Sequence, residues 1–154
     1  MKVSALEEYG LRCMVLLARS GPGESLTLPE ISAKEGLSLP YAGKLLMILK
    51  QAGLVKAVRG RKGGYALTRS PETVVLREIF NALGEPVFGP THCERYTEEG
   101  ECCVHNEDCT VRNVWGTFNQ FVSGYLDSVT LADLAHNNGK AAAQKIASES
   151  QKDS

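Results

Sequence analysis

The chain has 154 residues, 43% of them hydrophobic and 23% charged, with a formal net charge of −1. That length permits one domain with an annex and excludes two large cores. The N-terminus M-K-V-S-A-L-E-E-Y-G lacks the apolar stretch of a secretory signal, and no apolar run reaches the ~18 residues of a membrane helix, so a soluble, cytoplasmic protein is expected. The small net charge conceals an asymmetry: residues 1–70 carry 11 basic against 5 acidic side chains, a net of +6, whereas residues 71–154 carry 6 against 13, a net of −7. From Gly36 to Ser70 there are seven basic residues, Lys44, Lys50, Lys56, Arg59, Arg61, Lys62 and Arg69, and no acidic one. Ordinary solvated surfaces mix both signs, so a one-signed patch points to a polyanion, nucleic acid first.

In chain order, Ser4-Ala5-Leu6-Glu7 reads as a capping box for a first helix over Ala5 to Arg19. Its apolar positions, Leu6, Tyr9, Cys13, Leu16 and Leu17, keep a helical period, and Gly21-Pro22-Gly23 ends it. Cys13 falls on this apolar side as a core thiol, while Glu8 and Arg12 project elsewhere as an i,i+4 surface pair. Thr27-Leu28-Pro29-Glu30 is a second capping box, opening a short helix from Leu28 to Glu35 that stops at Gly36. Ser38 caps a third helix with Ala42, Leu45, Leu46, Leu49 and Ala52 inward, closing at Gly53. Two short helices joined by a tight glycine-containing turn form a helix-turn-helix, whose second member enters the DNA major groove. The outward residues near its start are Ser38, Pro40, Tyr41, Gly43 and Lys44.

Leu54 to Val58 alternates and is rich in β-branched residues, R-G-R-K-G-G turns, and Tyr65 to Thr68 returns as a strand. A hairpin with Arg59, Arg61 and Lys62 at its tip, directly after a helix-turn-helix, makes a winged helix whose basic tip reaches backbone or minor groove. The glycines do not form a phosphate cradle, because the strand-loop-helix order and the G-K-[ST] of a P-loop are absent. Ser70-Pro71-Glu72 leads into a fourth helix, Val74 to Leu83, ended by Gly84 and Pro86. Past Cys109, apolar residues at Val111, Val114, Trp115, Phe118, Phe121, Val122, Tyr125, Leu126 and Val129 predict a helix about 30 Å long, longer than a small winged-helix core covers. It is expected to pair with a second copy, since two-fold proteins match palindromic DNA sites. Thr130 to Leu134 adds a short helix, and the tail from residue 138 to 154 is polar and expected to be poorly ordered. The predicted fold is mainly α with a small β wing: a winged-helix domain over 1–84, a cysteine-rich loop over 85–110, a dimerisation helix and short terminal helix over 111–137, and the tail.

Between His92 and Cys109 lie four of the five cysteines, Cys93, Cys102, Cys103 and Cys109, with His92 and His105 among acidic neighbours. Core cysteines sit among apolar residues, and cytoplasmic thiols stay reduced, so this cluster reads as a metal or reactive site rather than disulfides. A structural zinc site would show a C-x₂₋₄-C knuckle, which is missing. What remains is Cys93, one of Cys102 and Cys103, and Cys109, one ligand short of an iron–sulfur site.

The opening S-x-x-x-E-Y-G-L-R from Ser4 to Arg12, the wing V-R-G-x-x-G-G-Y from Val58 to Tyr65, and three cysteines before a helix beginning C-x-x-x-x-x-W resemble the winged-helix iron–sulfur regulators of the IscR, NsrR and RirA type. The resemblance spans residues 1 to 137. It implies a homodimeric transcription factor, a repressor, whose loop cysteines hold a [2Fe-2S] or [4Fe-4S] cluster sensing redox state, iron or nitric oxide. Cys103-x₅-Cys109 has the family spacing, whereas nine residues separate Cys93 from Cys103, more than is usual, and Cys102 competes for the middle position. Where IscR has a histidine three residues after the last cysteine, this chain has Arg112. In NsrR-like members a carboxylate from the partner's first helix completes the set, and the matching residue here is Glu8, with Cys102 and His105 as alternatives. A ligand donated across a dimer would couple loss of the cluster to subunit geometry. Two other functions compete: DNA binding with a clusterless thiol or zinc switch, and a small thiol-redox enzyme, the latter disfavoured by the lack of C-x-x-C.

Overall fold

The computed structural model describes residues 3–61, 63–84 and 109–137. The elements run α1 (Ala5–Arg19), α2 (Leu28–Glu35), α3 (Leu39–Gln51), β1 (Val55–Val58), β2 (Gly64–Leu67), a 3-10 turn (Pro71–Thr73), α4 (Leu76–Leu83), α5 (Thr110–Ser128) and α6 (Leu131–Asn137). Local signals set most of these ends. Ser4 Oγ accepts the Glu7 amide at 3.2 Å and the Glu7 carboxylate accepts the Ser4 amide at 2.7 Å, so both halves of the capping box form. Thr27 and Glu30 repeat it at α2. Gly36 closes α2 at φ 66°, a conformation that a Cβ would disfavour.

The core is built where these helices meet. Cys13, Met14 and Leu17 of α1, Ile31 of α2, Leu45, Leu46 and Leu49 of α3, Ile79 of α4 and Leu131 of α6 are buried in one cluster. Gly10 permits the close approach of α1 to α4, because a Cβ there would fall 2.4 Å from a Leu83 methyl. The glycine of E-Y-G-L-R is therefore a packing requirement. Cys13 is fully buried, and burial, with Glu35 nearby, pushes its thiol up to about 12; it is the core thiol its helical phase predicts.

Three local expectations change. The fourth helix begins at Leu76 rather than Val74, because Val74 and Val75 stay extended to pair with the segment after α5. The Leu131 amide donates to Val74 O at 2.8 Å and the Leu76 amide to Val129 O at 2.9 Å. Ala52 is exposed, since it is the C-cap of α3 and has left the helical face it was assigned to. The last helix extends past Leu134 to Asn137, its N-terminus fixed by reciprocal bonds between Thr130 and Asp133.

α5 is unlike the other helices. None of its side chains is buried, and Val111, Val114, Trp115, Phe118, Phe121 and Tyr125 are exposed along it. Among the described residues its C-terminal end meets the core through Leu126, and on the surface Asp127 pairs with Arg77 at 2.5 Å. No helix of the described residues is long and apolar enough to cross a membrane.

Candidate nucleic-acid interface and cysteine-loop exit

α3 presents its outer side to solvent. Ser38 is exposed and caps the helix, its Oγ accepting the Tyr41 amide at 3.3 Å, and Pro40 and Lys44 are exposed behind it. Tyr41 is only half-buried and packs edge-on to Tyr9 with ring centroids 6.1 Å apart, so its ring braces α3 on α1 more than it projects outward. Two residues of this surface were not singled out in the sequence: Leu39 and Met47, exposed by 48% and 52%. The signal was available for Met47, which lies seven residues, two helical turns, beyond Pro40.

The wing is a two-stranded antiparallel sheet with Val55 opposite Leu67 and Val58 opposite Gly64. It is held to the body by a bridge: the Leu26 amide donates to Tyr65 O at 3.0 Å and the Tyr65 amide to Leu26 O at 2.7 Å. A Cβ on Gly64 would lie 2.2 Å from Leu26 O, so the last glycine of R-G-x-x-G-G-Y is where the backbone before α2 crosses the wing. Arg59 and Arg61 are exposed at the tip, whereas Lys62 lies outside the described residues. Among the described residues Lys44, Lys50, Lys56, Arg59, Arg61 and Arg69 are all exposed, and Arg69 pairs with Glu78. The positive patch thus consists of α3 and the wing together, with the charge of Arg69 offset by Glu78.

Of the expected cluster ligands, the structure describes Cys109 and Glu8; Cys93, Cys102, Cys103 and His105 lie outside the described residues, as does His92. Cys109 is the N-cap of α5, its Sγ accepting the Arg112 amide at 3.3 Å. A helix N-terminus favours negative charge, so an anionic group bound at this sulfur would be electrostatically matched. Arg112 serves Cys109 through its backbone rather than as a ligand. Glu8 accepts a bond from Arg12 Nε at 2.9 Å, and the two side chains are 50% and 54% exposed. Arg12 also lies over the Tyr9 ring, 5.5 Å from its centroid. This is the surface pair that the i,i+4 spacing predicts, and it is open enough for the carboxylate to exchange partners. Gly84, the last described residue before the cysteine loop, packs on α1: a Cβ there would fall 2.6 Å from Glu7 Oε1. The described chain thus stops before the cysteine segment against Glu7, on the buried side of α1, while Glu8 lies on its exposed side, and it resumes at Cys109. Among the described residues no three potential metal ligands converge.

A family model described as "Iron-dependent Transcriptional regulator" matches residues 3–137. The chain is 31% identical over 134 residues to Protein rrf2 of Nitratidesulfovibrio vulgaris, covering 87% of both chains. Among solved structures it resembles CymR, the global cysteine regulator of B. subtilis, at 32% identity and a TM-score of 0.70, covering 88% of this chain and 96% of that one. It resembles T. potens IscR at 31% identity and a TM-score of 0.70, covering 92% and 90%. These relatives are regulators, which removes the thiol-redox enzyme from consideration. With the capped helix pair, the glycine-anchored wing and the long helix opening at Cys109 all falling inside the matched segment, the chain belongs to the Rrf2 family of transcriptional regulators.

Proposed function

We propose that this regulator binds a palindromic operator as a homodimer and responds to redox state, iron or nitric oxide through an iron–sulfur cluster held by Cys93, Cys103 and Cys109, with Glu8 of the second copy as fourth ligand. The observation that carries the proposal is the position of Cys109: its Sγ caps the helix whose apolar face is left exposed, so a change at the sulfur acts directly on the start of the pairing helix. When bound, the cluster supplies the centre that reacts with oxidant or nitric oxide. Cys109 would bind it, the α5 N-terminus would offset its negative charge, and Arg12 would hold the Glu8 carboxylate in reserve when the centre is lost. Ser38, Pro40, Lys44, Arg59, Arg61 and Lys62 would meet the DNA, with Tyr41 as the brace behind them.

Anaerobic purification tests the reading. A brown protein with visible charge-transfer absorbance and iron bound through about three sulfurs is expected. Glu8→Ala then yields a more labile cluster and Arg12→Ala does not; equal behaviour would remove Glu8. A second reading is favoured by the similarity to a cysteine regulator and by the adjacent pair Cys102 and Cys103: the loop thiols respond without iron. A colourless protein whose DNA affinity changes on thiol oxidation would establish it.

A further inference from the structure

We infer that Met47 is a specificity-determining residue that meets the 5-methyl group of a thymine in the major groove. This deepens the DNA-binding reading of α3 and rests on it. At about 100° per residue, Pro40, Lys44 and Met47 fall within about 60° of one another, with Gly43 beside them. The opposite side of the helix, Ala42, Leu45, Leu46 and Leu49, is 0% exposed. Core packing therefore fixes the rotation of α3, and the stripe of Pro40, Lys44 and Met47 is left facing outward with half-buried Gly43 at its edge. Its i, i+3, i+4, i+7 spacing is the one at which a homeodomain recognition helix meets bases.

The chemistry of the stripe narrows the contact. No acidic residue occurs between Gly36 and Ser70, so the surroundings of Met47 complement a polyanion. Gly43, half-buried with a Leu28 methyl 3.7 Å from its Cβ position, puts no side chain of its own beside Lys44 and Met47. Met47, 52% exposed, offers neither charge nor hydrogen bond to a phosphate. The apolar feature of the major groove is the thymine methyl, and an unbranched thioether side chain can reach and cover it.

The test uses the full-length chain. A DNA site is enriched from a random double-stranded pool, each thymine is replaced singly by deoxyuridine, and affinity is measured by fluorescence anisotropy for the unsubstituted protein, Met47→Ala and Met47→Leu. At one thymine per half-site, loss of the methyl should weaken the unsubstituted protein about fourfold, the effect of exposing one methyl. Met47→Ala should be indifferent to that replacement, and Met47→Leu should keep most of the response. Retention of the same methyl dependence by Met47→Ala at every thymine, or absence of any such dependence in the unsubstituted protein, would overturn the assignment while leaving DNA binding intact. Failure of the pool to enrich any site would overturn the DNA reading of α3 and this inference with it. An unchanged melting curve for Met47→Ala is expected, since its side chain is outside the core.

Discussion

Phe121→Ala on α5 is the sharpest test of what the exposed helix is for. Phe121 is 74% exposed, although it lies at the centre of the apolar stripe with Val114, Phe118 and Tyr125. A phenylalanine offers about 200 Å² for burial, so the exposed part corresponds to about 150 Å² and, at about 25 cal/mol per Å², to an upper bound near 4 kcal/mol. Incomplete contact at a helix pair reduces this to about 2 kcal/mol per subunit, and the residue occurs twice in a two-fold interface, giving about 4 kcal/mol or about a thousandfold in the dimer dissociation constant. Sedimentation equilibrium over a dilution series measures that constant. Gln120→Ala, exposed about 100° round α5 from Phe121 and off the apolar stripe, is the control and should change it less than twofold. Folding of the single chain should be little affected, because Phe121 lies outside the core cluster. An unsubstituted protein that is monomeric at tens of micromolar, or a Phe121→Ala protein with an unchanged constant, would refute the assignment of α5 to a second copy.

Further outcomes follow from the packing and the charges. Gly10→Ala puts a Cβ 2.4 Å from a Leu83 methyl and should destabilise by about 1–3 kcal/mol, whereas Gly43→Ala meets only an ordinary contact at 3.7 Å and should stabilise by up to about 1 kcal/mol; thermal melts should move in opposite directions. Cys13 should resist iodoacetamide in the folded protein at pH 8. Because its thiol is raised from 9.0 to about 12 by burial, the folded state holds its proton longer, so its contribution to stability is fully present below pH 9 and is lost as pH rises toward about 12. Arg59→Ala should weaken operator binding, and replacement of Lys62 should lower the salt slope of binding by about one unit where it meets a phosphate.

Local rules determined much of this protein. Capping boxes at Ser4 and Thr27, the Ser38 cap and the stop at Gly36 are decided within four or five residues, which is why α1, α2 and α3 were legible in the sequence. The one-signed charge from Gly36 to Ser70 and the phase of Cys13 were likewise readable, because charge and helical period are properties of the chain itself. Tertiary structure decided what depended on distant partners. Val74 and Val75 gave up the helix because Val129 and Leu131, more than fifty residues away, supply backbone partners. Tyr41 turned toward Tyr9, and Arg69 gained Glu78 as a surface partner, contacts that no spacing reveals. The same holds for the two signature glycines: sequence marked Gly10 and Gly64 as motif members, but only the approach of Leu83 and of the Leu26 carbonyl explains why neither position has room for a Cβ.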